Sequence, residues 1–372
     1  LKLQQEYECF FFVADWHALT TEYEDPAIIE KSVWDMVIDW LAVGVNPGTA
    51  KLFIQSRVPE HAELHLLLSM CTPLSWLERV PSYKDQQEKL SDKDLTTYGF
   101  LGYPLLQTAD IIIYKAGFVP VGEDQVSHVE LAREVVRRFN HIYGRERDFE
   151  KNIEAALKKM GKKTARLYDE MRRNYQEQGD LSSLEKAREL LASQQNISIG
   201  DRERLAGYLD GSGKAIFPEP QALLTPASKM MGLDGQKMSK SYGNTISLRE
   251  NPTVVEDKIK TMPTDPARIR LTDPGDPEKC PVWNLHQVYS EDSLKKWVVE
   301  GCTNAKIGCL DCKKPLIDAI LKEQEPIRAR ANEYLNDPET VQGIITEGSD
   351  AARDIARETL DDVREAIGLS YS

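Results

Sequence analysis

The longest unbroken apolar run in this sequence, Cys9-Phe10-Phe11-Phe12-Val13-Ala14, sets the first constraint on its fold. A run this short cannot cross a membrane, which takes about 18 apolar residues or more. It has the length of a strand, and strands covered on both faces of a parallel sheet read as such runs. The chain is therefore expected to bury a strand near its start within an α/β sheet. Its 372 residues leave room for roughly one to three domains. A charged content of 29% and a mean hydropathy of −0.46 describe a soluble chain. There is no signal peptide, and six cysteines in a chain of this length are no disulfide scaffold, so a reducing cytoplasm is expected. A net charge of −13 argues against broad nucleic-acid affinity, which needs surplus cations. It leaves room for a local basic patch that meets one specific RNA.

Periodicity divides the chain further. Residues 7–16 read as a strand that ends in the polar cluster Asp15-Trp16-His17. Residues 26–43 place Ile28, Ile29, Val33, Val37, Trp40 and Leu41 at helical spacing. Leu52-Phe53-Ile54 reads as a short strand, and Pro59 opens a leucine-rich helix. Residues 81–98 read as a polar loop. In residues 104–114 a lone Asp110 stands among Leu105, Leu106, Ile111, Ile112 and Ile113. Phe118–Val121 is a strand, and Val126–Phe139 a helix. Residues 141–213 are rich in Lys, Arg, Glu and Gln, lack proline, and predict two or three amphipathic helical stretches. From about residue 253 the pattern is helical to the end. The class is α/β at first and all-α at last, with no internal repeat.

The stretch GQKMSKSYGN, residues 235–244, is chemically pointed. Two lysines can neutralise phosphate oxygens, while serine hydroxyls and backbone N–H groups donate hydrogen bonds to a polyanion. A bare KxxK pattern is more often a solvated turn; the full string Lys237-Met238-Ser239-Lys240-Ser241 is more specific. It resembles the second signature of class I aminoacyl-tRNA synthetases, whose loop closes over ATP and steadies the pyrophosphate leaving group. Other stretches are similar to tryptophanyl-tRNA synthetases of the bacterial type. These are Asp15–Thr20, Gln55–His61, Tyr103-Pro104 with Gln107–Asp110, Val119–Gln125 and Thr264–Arg268. The resemblance spans residues 1–140 and 214–372.

That resemblance implies a Rossmann-like parallel-sheet catalytic domain over residues 1–140 and 214–252. It further implies a charged helical insertion at 141–213 and a helical anticodon-binding domain at 253–372. It assigns Lys237 and Lys240 to catalysis, and Gly122, Asp124, Gln125, Lys237, Met238, Ser239 and Lys240 to ATP. It assigns His17, Tyr103, Gln107, Asp110 and Gln125 to tryptophan. Tyr103 and Gln125 match residues that hold the substrate's amino group. A carboxylate among apolar residues needs a partner, and the indole N–H is a lone donor that a carboxylate accepts well. The other reading of Asp110 is a helix cap or a salt bridge. Lys84 and Lys89 fall where family members carry a phosphate-facing lysine, and the spacing does not choose between them.

A histidine-containing phosphate signature is expected at a helix start after the first strand of such an enzyme. None occurs before residue 17. His61-Ala62-Glu63-Leu64-His65 lies in the wrong context, and its spacing is not that of a zinc protease. Together with the start at Leu1, this leads to the expectation that an N-terminal segment is missing; the alternative is a non-catalytic relative. Cys280, Cys302, Cys309 and Cys312 form C-x21-C-x6-C-x2-C, which in a reducing compartment argues for metal. Zinc and a [4Fe–4S] cluster both suit four thiolates. Certain tryptophanyl enzymes carry a cluster at similar spacing near the anticodon-reading helices, which favours iron–sulfur.

The expected function is thus tryptophan–tRNA ligation, with ATP, Mg2+ and a [4Fe–4S] cluster (alternatively zinc), tRNA(Trp) as partner, and a homodimer implied by the resemblance. The alternatives are a tyrosyl-tRNA ligase and an inactive synthetase-like RNA-binding or iron–sulfur module.

Overall fold

The computed structural model describes residues 1–81, 95–144, 148–211, 213–224, 230–236, 238 and 243–371. Strand β1 (Cys9–Val13) leads into α1 (Asp15–Glu22) and α2 (Ala27–Val43), followed by β2 (Ala50–Ile54), α3 (Glu60–Ser69) and α4 (Leu74–Glu78). Next come α5 (Tyr98–Ile112), β3 (Phe118–Val121) and α6 (Val126–Tyr143). Four helices follow, α7 (Phe149–Met160), α8 (Lys162–Gln178), α9 (Leu181–Ser193) and α10 (Ile199–Leu209), and then β4 (Gln221–Leu224). The rest is helical: α11 (Pro252–Thr261), α12 (Pro281–Tyr289), α13 (Asp292–Thr303), α14 (Cys309–Asn336) and α15 (Pro338–Ile367). The expected class, α/β first and all-α last, is what the structure has. Among the described residues no helix is long and apolar enough to cross a membrane.

The chain divides into two compact units. One comprises residues 1–13, 27–53 and 225–348, the other residues 14–26, 54–224 and 349–372. In the first, β1 pairs with β2. The apolar run of β1 is less covered than its composition implies, because only Val13 is fully buried and Cys9–Phe12 are half-buried. Among the described residues its sheet has two strands, so β1 has a partner on one side only. Phe12 stacks on Phe53 at 5.5 Å, and Phe11 tilts against Trp40 of α2 at 6.2 Å. The helical part of this unit packs Val255, Ile259, Val282, Leu285, Leu316 and Ile320 into one core. Lys313, 3% exposed, donates from α14 to the carbonyls of Lys260 (2.7 Å) and Met262 (2.5 Å). The ammonium thereby satisfies acceptors that the end of α11 leaves unpaired.

In the second unit β3 and β4 run parallel, with Phe118 opposite Gln221 and Val121 opposite Leu224. Helix α5, capped by the Thr97 side chain at Phe100 N–H (3.2 Å), is buried on most sides, as a helix that is apolar all round should be. The segment at 141–213, read as two or three helical stretches, contains four helices among its described residues. Gly161 and Gly179, at φ +83° and +70°, supply backbone turns that periodicity alone does not count. The four helices enclose their own core of Ile153, Met160, Tyr168, Leu184, Leu191 and Leu205.

The two ends of that segment meet. Lys214 N–H donates to Gly144 O at 2.6 Å. Asn140 of α6 accepts from the N–H groups of Ile216 (2.9 Å) and Phe217 (3.1 Å) and donates to Phe217 O (2.8 Å). The crossing is tight enough to require glycine: a Cβ on Gly207 would stand 1.4 Å from Gly213 O, and one on Gly144 would stand 2.3 Å from Lys214 O. Gly343 in α15 has nothing within 4 Å. Gly207→Ala should therefore lower the melting temperature by several degrees, on the order of 2–3 kcal/mol. Gly343→Ala should raise stability by about 0.5–1 kcal/mol, as expected for alanine in an open helix position. Thermal melts of the two variants beside the parent check both signs.

A buried carboxylate network as candidate active site

Helix α5 places Tyr103, Gln107 and Asp110 at i, i+4 and i+7, which is one face of a helix. Asp110 is 3% exposed. Its position brings three side chains to one carboxylate. His17, in the first turn of α1, meets Oδ2 through Nε2 at 2.7 Å. Gln55, in the turn after β2, donates Nε2 to Oδ1 at 2.8 Å. His61, in the first turn of α3, meets Oδ1 through Nδ1 at 2.6 Å. The segments that carry these groups are tied together, since Asp15 Oδ1 accepts Ser56 N–H at 3.0 Å. The cluster Asp15-Trp16-His17 thus opens a helix instead of closing a strand.

Burial alone would push the Asp110 carboxyl up, but the hydrogen bonds and charge of His17 and His61 outweigh it and hold it at about 2. By linkage, a depressed carboxyl contributes stability that is present above its unfolded pKa and is lost only as pH falls toward about 2. The group is an anion throughout the neutral range. His61 Nε2 lies 2.6 Å from Tyr114 Oη. Burial, followed by the charges of Asp110 and Glu60, pushes that phenol far up, so it keeps its proton.

A second set of polar groups adjoins the first. Tyr103 Oη is 3.2 Å from His128 Nε2, and His128 Nδ1 is 2.7 Å from Gln125 Oε1. Gln107 Nε2 donates to the same Gln125 oxygen at 3.3 Å, and Gln125 Nε2 donates to Asp124 at 3.2 Å. A Cβ on Gly122 would stand 2.8 Å from Asp124 Oδ1, so glycine there lets the Asp124 carboxylate fold back on the turn. The rings of His17 and Tyr103 meet edge to face at 6.3 Å. His17, Tyr103, Gln107, Asp110, Gly122, Asp124 and Gln125 therefore belong to one unit and one network. Sequence reasoning does not find Gln55, His61, His128 and Tyr114. The one signal for His61 is its place in the Gln55–His61 stretch, where its spacing to His65 draws attention to phosphate and metal motifs instead.

Lys84, Lys89, Lys237, Ser239 and Lys240 lie outside the described residues. The neck of the lysine loop is described and belongs to the other unit. Asp234 Oδ1 accepts from Gln236 N–H (2.9 Å) and from Asn244 Nδ2 (2.7 Å). Leu233 N–H donates to Asn244 O at 2.9 Å, and Met238 N–H to Met230 O at 2.9 Å. Asn244 is buried and closes the loop like a clasp.

The same unit collects the four clustered cysteines. Cys280 precedes α12, Cys302 lies in the last turn of α13, and Cys309 and Cys312 open α14. All four are free thiols and line one cavity of about 20 Å3 with Thr264, Asp265, Arg268 and Val282. Burial first, and then the neighbouring Cys280, Cys302 and Cys309, push the Cys312 thiol up to about 12. Arg268 Nη1 lies 3.8 Å from Cys302 Sγ. The donor set suits a thiolate-binding metal and a guanidinium stands beside it. Among the described residues no three donors stand in metal-holding geometry.

The family model for class I tRNA synthetases (W and Y) matches residues 1–169 and 185–323. A tryptophan–tRNA ligase of Ralstonia nicotianae is 66% identical over all of this chain and 93% of its own length. One of Thermotoga maritima is 42% identical over all of this chain and 92% of its own length. The tryptophanyl-tRNA synthetase of Campylobacter jejuni, solved with ADP and tryptophan, superposes with a TM-score of 0.71 at 25% identity, covering 99% of this chain and 92% of its own. These likenesses carry the Rossmann-like class I fold to the chain. With relatives this similar along the full chain, it belongs to the class I tRNA synthetases of the tryptophan and tyrosine group, and among them to the tryptophan–tRNA ligases.

Proposed function

We propose that this ligase activates tryptophan with ATP and transfers it to tRNA(Trp) at the network around Asp110. The observation that carries the assignment is a buried, anionic carboxylate beside the Tyr103 and His17 rings, a setting that suits an indole with one N–H to donate. Tyr103 and Gln125 take the substrate's ammonium group. Gln125 Oε1 already accepts from both Gln107 and His128, so the ammonium replaces the longer Gln107 bond. The tryptophan carboxylate then attacks the α-phosphate of ATP. An acyl–phosphate bond forms, the α–β phosphoanhydride breaks, and pyrophosphate leaves with the electron pair. A hydroxyl of the terminal tRNA ribose next attacks the carbonyl carbon and AMP departs. No side chain becomes covalently bound, so the protein works by positioning and electrostatics.

Gly122, Asp124 and Gln125 hold the nucleoside side of ATP. Lys237 and Lys240, with Met238 and Ser239 between them, meet the charge that grows on the β- and γ-phosphates, and Mg2+ serves as phosphate counter-ion. The helices from residue 253 onward read the anticodon, and the helical segment at 141–213 is a solvated insertion. A homodimer suits the exposed Leu19, Tyr23, Leu66, Met70, Leu74 and Tyr98, since apolar surface of this kind marks protein interfaces. The enzyme works in the reducing cytoplasm, where clustered thiols stay reduced. There Cys280, Cys302, Cys309 and Cys312 hold a [4Fe–4S] cluster, with zinc as the second choice. Support comes from four thiols at one cavity with Arg268 to offset thiolate charge. The group would tie the start of α14 to Cys280 and Cys302.

Three experiments bear on these assignments. Alanine at Lys237 or Lys240 should lower tryptophan-dependent pyrophosphate exchange roughly tenfold or more while calorimetry finds tryptophan binding nearly intact; an unchanged exchange rate removes the lysines from the transition state. Asp110→Ala should weaken tryptophan binding by about 2–3 kcal/mol, the worth of a hydrogen bond to a charged group. Equal affinities would take Asp110 out of the indole pocket. Protein purified without oxygen should be brown, and Cys309→Ser should bleach it and reduce tRNA charging more than exchange. Metal analysis that finds one zinc and no iron per chain converts the assignment to a zinc site.

A further inference from the structure

We propose that His61 is the positioning residue that aims Asp110 at the indole N–H, with Gln55 as its support. This rests on reading Asp110 as the indole acceptor. A carboxylate offers about four lone-pair directions. Oδ1 of Asp110 takes Gln55 Nε2 (2.8 Å) and His61 Nδ1 (2.6 Å), which fills it. Oδ2 takes His17 Nε2 at 2.7 Å and, among the described residues, nothing else. The carboxylate is therefore anchored through one oxygen and left with a single acceptor direction on the other, which matches a ligand with one donor. Rotation about the Cβ–Cγ bond would exchange the two oxygens and break the Oδ1 pair, so the pair fixes which oxygen faces the ligand.

His61 suits the anchoring role because it has no freedom of its own. It is fully buried, and its ring packs at 62° against that of Tyr114, centroids 5.4 Å apart. Tyr114 keeps its proton and its Oη holds His61 Nε2 at 2.6 Å. The Asp110 carboxylate only accepts, so His61 donates to it from Nδ1. His17 differs: it is partly exposed and belongs to the rim that a ligand touches. The groups facing Asp110 are His17 from α1, Gln55 from the turn after β2, His61 and, by charge, His65 from α3, and Tyr114 beyond the end of α5. Gln55 Oε1 is buried with no partner among the described residues, which leaves its amide held only through the Nε2 bond to Asp110. Losing His61 would remove one of the groups that oppose burial, so the carboxyl would titrate at higher pH.

The test compares tryptophan with β-(3-benzothienyl)alanine, in which sulfur replaces the indole N–H, using the full chain and pyrophosphate exchange. His61→Leu should raise the tryptophan KM roughly tenfold or more, as befits a weakened bond to a charged acceptor, with a much smaller change in kcat. It should barely move the KM of the analogue. His61→Asn, whose amide reaches Asp110 from the Nδ1 position, should recover most of the loss. Tryptophan affinity of His61→Leu should fall with falling pH in a range where the parent is flat. Equal losses for tryptophan and the analogue, or an unchanged pH profile, overturn the proposal and leave His61 a core residue. If His61→Leu does not fold, Tyr114→Phe, which keeps the ring and removes the hydroxyl that holds His61 Nε2, carries the same comparison with a smaller loss. Asp110→Ala separates the two layers. If it abolishes discrimination while His61→Leu does not, only this proposal fails. If it leaves discrimination intact, the indole reading fails and takes the proposal with it.

Discussion

A full negative charge inside an apolar helix face is the constraint around which the candidate site is arranged. Asp110 would be neutralised by burial unless donors oppose it. The donors come from the turn after β2 and from the first turns of α1 and α3, so each of those segments must reach α5 in one arrangement. A single carboxylate thereby fixes where α1 begins, where α3 begins and how the turn after β2 is tied to both. The apolar packing around α5 supplies most of the stability, as burial does in any core. The charge supplies uniqueness, because a shift of any one segment would leave a buried anion with a missing partner.

Much of this was legible in residue order, and the reason it was legible is local. Helix α2 and helix α6 announce themselves by spacing, β2 and β3 by short β-branched and aromatic runs. Asp110 stands out because five aliphatic neighbours surround it in the chain. Its partners could not be read the same way. His17, Gln55 and His61 lie 93, 55 and 49 positions away, and no periodicity encodes a hydrogen bond across such a span. His61 and His65, four apart in the chain, invite comparison with catalytic and metal motifs; what His61 holds is a carboxylate instead. The β1 run misled in the other direction, since composition reports what a strand tolerates and not how many neighbours it receives.

The cysteines were legible as a set. Spacing already groups Cys280, Cys302, Cys309 and Cys312, and the fold brings all four to one cavity. Once there, burial first and then Cys280, Cys302 and Cys309 raise the cost of ionising the Cys312 thiol.

The meeting of Gly144 and Lys214 bears on evolution. A segment whose ends already touch adds no gap for the remaining chain to bridge, and closure entropy grows only with the logarithm of loop length. Lineages can therefore lengthen, trim or replace the four helices between those residues without moving α6 or β4. The hydrogen bonds of Asn140 mark the suture.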